Sequence, residues 1–219
     1  TMPSEKKIKN IAAELKSHAP FTLFGTLTGI VLMLLFKNIE HQTSKGLFYV
    51  LHPAHVVLSA MVTASMFKLY ARKTNFIVVL LIGYIGSIGI ATVSDSLIPY
   101  VGEILLGLDA HSHIGFIEGW YMVNPAAILG VLIAYFWPKT KFPHSGHVLL
   151  STWASSFHIL MALPTGMSIL TGIVIFIFLF LAVWLPCCVS DIVFPLLFVR
   201  GEPRPFDKGR GEHVPHSHH

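Results

Sequence analysis

The sequence predicts an all-α integral membrane protein, a bundle of about six transmembrane helices with both ends on the cytoplasmic side. Three observations lead there. Of 219 residues, 53% are hydrophobic and only 12% charged, whereas about a quarter of a soluble domain is charged. The apolar residues arrive in long blocks rather than amphipathic stripes, and a bilayer core takes roughly 20 apolar residues per helix. The basic residues, finally, sort to one side of those blocks.

Residues 1–18 set Lys6, Lys7, Lys9 and Lys16 among Ile8, Ile11 and Leu15, the pattern of a basic amphipathic helix lying on the membrane surface. No cleavable signal peptide is visible there. Spans are predicted over Ala19–Phe36, Gly46–Phe67, Phe76–Ile98, Trp120–Trp137, His147–Leu163 and Met167–Val189, within one membrane domain covering 19–199. Gly25 and Gly29 form a small-xxx-small pair in the first span. Gly83, Gly86, Ser87 and Gly89 give the third a thin face for helix packing. Between spans three and four, residues 98–119 are too apolar for a free loop and too broken by Pro99, Gly102, Gly107, Gly115 and Gly119 for a span. A re-entrant or interfacial segment is expected there. Thr165 and Gly166, after Pro164, read as the turn into the sixth span. The apolar stretch beyond Pro186 runs on to Val199, which predicts a kink followed by an interfacial segment. Residues 200–219 form a polar cytoplasmic tail.

Charge sets the orientation. Every lysine and arginine except Lys37 and Lys45 falls on the side of the two termini, as the positive-inside rule requires of an N-in, C-in chain. The net charge of +4 is therefore a topology signal with some attraction to anionic lipid, and no nucleic-acid partner is expected. Membrane lipids are, and the chain is compatible with a homo-oligomer or a subunit of a membrane complex. A cell membrane, bacterial or archaeal, is the expected location. The 2 cysteines, Cys187 and Cys188, are adjacent and cannot build a disulfide framework.

Thirteen histidines in so apolar a chain are the feature that points to function, because ionisable residues at membrane depth are costly to hold there. His52 and His55 are three apart at the start of the second span, about 60° from each other on a helix, so both rings can address one point. Ser59, Thr63 and Met66 continue that face. Asp95, in Val-Ser-Asp-Ser, lies near the outer end of the third span, and His158 about five residues from the outer end of the fifth. The connection above adds Glu103, Asp109, His111, His113 and Glu118. Imidazole and carboxylate together suit Zn²⁺, Fe²⁺, Mn²⁺, Co²⁺ or Ni²⁺, so His52, His55, Asp95, His111, His113 and His158 are candidate metal ligands. An inner group, His144, His147 and Asp191, is a secondary candidate site. His147 and His158 are eleven residues apart, within about 20° of one helix face. The tail carries His213, His216, His218 and His219, a compositional metal signal as well as the composition of an unstructured tail.

The sequence contains no phosphate-binding Gly-Lys-Ser/Thr loop, no His-Glu-x-x-His helix, no Gly-x-Ser-x-Gly elbow and no Cys-x-x-Cys-His haem attachment. Three functions remain. The first is a metal-ion transporter that captures a divalent ion at the outer cluster and hands it inward along the His158–His147 face. The second is an intramembrane metal-dependent hydrolase or oxidase acting on a lipid or small apolar substrate, with Glu103 or Glu118 as general base. The third is bis-histidine haem held between helices. His41-Gln-Thr-Ser and Pro53-Ala-His55 resemble short stretches of the C subunits of membrane-bound ammonia and methane monooxygenases. The Asp95, His111 and His113 spacing does not match that subunit's metal pattern, so the resemblance implies only an oxidase form of the enzyme reading.

Overall fold

A computed structural model describes residues 3–71, 73–108, 114–163, 169–189 and 193–199. The chain is all helix, with no strand among these residues. In chain order the elements are α1 (Pro3–Leu35), α2 (His41–Tyr70), α3 (Phe76–Thr92), a π-helical turn (Val93–Leu97), α4 (Ile98–Leu105), α5 (Gly115–Glu118), α6 (Trp120–Phe136), α7 (Lys141–Ala162), α8 (Ile169–Cys188) and α9 (Phe194–Leu197). Three helices are long and apolar enough to cross a membrane: α2, the continuous run Phe76–Leu105 through the π turn, and α8. Ala19–Leu35 and Trp120–Phe136 are apolar but shorter. α1 is unbroken across residue 18, where the sequence places the boundary between a surface helix and the first span.

The long helices alternate in direction. α2 runs against α7: Ser44 Oγ donates to the Phe157 carbonyl at 3.1 Å, His41 Nδ1 lies 3.2 Å from the Met161 carbonyl, and farther along His55 lies against His147. α1 runs with α7, as a Cβ on Gly25 or Gly29 would strike Thr152 or Ser156. α3 runs against α6, with Phe76 edge-on to Tyr135 and the Tyr84 hydroxyl donating to Asn124 Oδ1 at 2.6 Å. α6 in turn follows α2, where Gly130 packs on the Val57 carbonyl and Lys68 donates to the Tyr135 carbonyl. α8 runs against α1 and α7: Ile175 and Leu179 pack with Met33 and Ile159, Val183 and Cys187 with Phe21 and Val148.

The fold buries many polar side chains alongside its apolar core and turns large apolar residues outward. Ser44, Ser59, Thr63, Ser94, Ser151, Thr152, Ser155 and Ser156 are all buried, together with four histidines and two acids. Leu23, Phe24, Leu27, Val31, Ile77, Leu81, Ile85, Leu129, Ile173 and Ile177 face outward. Such an arrangement would be costly in water, where large exposed apolar patches drive association, and it is what a helix bundle needs in lipid.

Two segments differ from the sequence expectation. The helix does not leave the bundle at Pro99. Proline lacks the amide that would have bonded back into the preceding turn, and the wide π turn directly before it already breaks the usual register. The helix therefore continues to Leu105 and ends on Gly107, whose φ of +67° permits the left-handed cap. Gly107 N bonds Ile104 O and Leu108 N bonds Glu103 O, both at 3.0 Å, closing the end as a Schellman motif. The stretch after α8 also packs more closely on the bundle than a surface segment would. α9 tucks between α2 and α3, with Phe194 against Gly86 and packed on the Ala60, Ala64 and Val79 cluster. The Pro164–Gly166 turn lies outside the described residues.

Candidate metal centre

The π turn sets up the site. Within it Ser94, Asp95 and Ser96 are all buried. π turns of this kind recur at functional sites. Asp95 is fully buried, and its carboxylate is saturated. Oδ2 accepts from His52 Nδ1 at 2.9 Å and from His55 Nδ1 at 2.7 Å. Oδ1 accepts from Ser94 Oγ at 2.7 Å and from Ser151 Oγ at 2.8 Å. A carboxylate left unpaired in such a place would cost several kcal/mol; here four donors from α2, α7 and its own turn meet it.

These bonds determine the tautomers. A carboxylate only accepts, so each ring donates from Nδ1, and in the neutral ring the lone pair is then on Nε2. Both Nε2 atoms are buried and have no hydrogen-bond partner among the described residues. A histidine whose Nδ1–H is held by a carboxylate, with Nε2 left over, is the usual form of a metal-binding imidazole. Pro53 between them does not interrupt α2, so the pair keeps its three-residue helical spacing.

The inner and outer histidine groups of the sequence meet in space. The His55 and His147 ring centroids are 5.6 Å apart, and His147 Nε2 lies 3.4 Å from His144 Nδ1. Depth counted from the predicted span ends misplaces them, because α2 begins at His41 and α7 at Lys141, several residues earlier than those ends. His55 therefore sits midway along α2. Among the described residues, two sets of buried side chains bring potential ligand atoms within 4.8 Å of one another, His52 with His55 and Asp95, and His55 with His147 and Cys187. Buried histidine, aspartate and cysteine groups can thus hold a metal ion here. Cys187 escaped the sequence reading, because nothing in an apolar helix end shows which helix its thiol will face.

The remaining candidates are placed as follows. His158 is buried and its ring stacks on Phe48 at 5.4 Å, which also stacks on His52 at 5.2 Å, so it stands one aromatic layer from the cluster. Glu103 is 1% exposed, and neither carboxylate oxygen has a hydrogen-bond partner among the described residues. Glu118 is a surface clamp: it accepts from the Tyr49 hydroxyl and lies 4.0 Å from Lys45, tying α5 to the start of α2. That clamp lays Gly115 directly on His52, so close that a Cβ there would stand 2.5 Å from His52 Nε2. His111, His113, Asp109, Asp191 and the histidines of the tail lie outside the described residues. No family model, curated protein or solved structure matches the chain.

Proposed function

We propose that the chain is a multi-pass membrane protein that binds a divalent transition metal in its buried histidine cluster and carries it across a cell membrane. The observation that carries this reading is Asp95, which holds the Nδ1–H of two buried imidazoles and leaves both Nε2 lone pairs without a partner among the described residues. Six crossings with both ends cytoplasmic are supported by the alternating helix directions and by the lysine and arginine partition of the sequence.

A route on either side of the cluster favours transport. Toward the outer end of α7, Ser151, Ser155 and His158 are buried and share one helix face by their spacing. In the other direction, Ser59 and Thr63 continue the His55 face of α2. The hydroxyls of Ser59, Ser65 and Ser96 are buried without hydrogen-bond partners among the described residues, and such orphans ask for water or an ion. In proteoliposomes, His55→Ala and Asp95→Ala are expected to abolish metal flux while the protein still inserts. Wild-type flux in both variants contradicts the proposal.

The enzyme reading draws on the roof that α5 forms over His52, which could shield a reacting metal. It predicts a slowly exchanging stoichiometric ion and no flux in vesicles. Glu118, pinned by Tyr49, is poorly placed as its general base; Glu103, buried and unpaired among the described residues, is the better one. Bis-histidine haem has less support, since the sequence carries no Cys-x-x-Cys-His attachment motif.

A further inference from the structure

We propose that the ion-binding centre itself is His55, His147 and Cys187, a site of two imidazoles and one thiolate that selects a borderline-soft ion such as Zn²⁺, with Asp95 positioned behind His55 rather than on the metal. This rests on the metal-binding reading above and narrows it to a donor set and an ion class.

The three residues come from α2, α7 and α8, and each is at most 2% exposed. Their ligand atoms all lie within 4.8 Å of one another. Around one tetrahedral zinc, with Zn–N near 2.0 Å and Zn–S near 2.3 Å, ligand atoms stand roughly 3.3–3.7 Å apart. Reaching that separation from 4.8 Å takes a shift of about 1 Å at the ligand atoms. His55 Nδ1 is committed to Asp95 Oδ2 at 2.7 Å, so the nitrogen it can offer an ion is Nε2, which is buried and unpartnered among the described residues.

The alternative set, His52 with His55 and Asp95, is poorly suited to hold the ion directly. All four acceptor positions of Asp95 are filled by His52, His55, Ser94 and Ser151, and a metal would have to displace these donors. His52 Nε2 faces the backbone of Gly115. Asp95 and His52 thus form the supporting layer, fixing the tautomer and angle of His55.

Donor chemistry then sets selectivity. A thiolate disfavours the hard ions Mg²⁺, Ca²⁺ and Mn²⁺ and favours Zn²⁺ and its close analogue Co²⁺. Coordination converts the Cys187 thiol to thiolate, its proton leaving to solvent as the ion binds. Three protein ligands leave the fourth position open for water or for exchange.

The test uses the full purified chain in detergent, titrated with Co²⁺ as a coloured stand-in for Zn²⁺. The wild type is expected to show intense tetrahedral ligand-field bands and a sulfur-to-cobalt charge-transfer band, both removed by added Zn²⁺. Cys187→Ser should abolish the charge-transfer band and weaken Zn²⁺ binding by about tenfold or more, while Cys188→Ser leaves both intact. Wild-type cobalt binding without a sulfur band, still lost in Asp95→Asn, overturns this centre and leaves the metal-binding reading standing. Failure of the folded wild type to bind either ion overturns both. The wild-type spectrum decides the matter even if a variant does not fold.

Discussion

Asp95 organises its neighbours without needing to touch an ion. It takes two imidazole donors on one oxygen and two serine hydroxyls on the other, and each charge-assisted bond contributes about 1.5–3 kcal/mol. Asp95→Asn replaces half of that acceptor capacity with an amide that cannot accept. Zn²⁺ affinity is expected to fall roughly 10–100-fold in a competition titration against a chromogenic chelator, and unchanged affinity would show that the carboxylate does not set the rings. The roles of His52, His55 and Asp95 as neighbours were legible in the sequence, since each is costly at membrane depth and the spacing of the pair puts both rings on one side of α2. His147 was marked as a ligand candidate but placed in a separate inner group, and Cys187 was not marked. Their placement depends on how far each helix extends beyond its apolar stretch, and α7 begins with the polar run from Lys141 to His147, which hydropathy cannot assign to a helix.

Helix elements carry the site through close backbone approach. Gly130 lets α6 come so near α2 that an added Cβ would stand 2.3 Å from the Val57 carbonyl, whereas Gly89 has nothing within 4 Å. Gly130→Val should therefore destabilise the bundle by about 1–3 kcal/mol, and Gly89→Ala should be neutral or raise stability by about 0.5–1 kcal/mol. Thermal unfolding in detergent separates the two, and equal shifts would contradict the packing described. The sequence marked Gly25, Gly29, Gly83 and Gly86 as a packing face, and all four sit against neighbouring side chains. It included Gly89 wrongly and missed Gly130, because a small residue reveals an opportunity for contact but not the partner. The π turn was equally hidden, because nothing in Val-Ser-Asp-Ser-Leu distinguishes a π turn from an ordinary helical one.

Across the described residues, polar side chains share the interior with an apolar core, while leucine, isoleucine, valine and phenylalanine cover much of the outside. Composition made that legible from the start, since so few charges cannot coat a soluble surface. The alternating directions of α1, α2, α3, α6, α7 and α8 place Lys68, Lys73 and Lys139 at the same end of the bundle, with Lys45 and Glu118 at the other. Reporter fusions at both termini are expected to report a cytoplasmic location, and a fusion in the Lys37–Glu40 turn the opposite one; two termini on opposite sides would contradict six crossings. The account as a whole turns on whether the buried cluster holds an ion. The most direct measurement is elemental analysis of the monodisperse chain after equilibration with Zn²⁺ and removal of loosely bound ions. About one retained ion per chain is predicted, and a folded chain that retains none would contradict the claim.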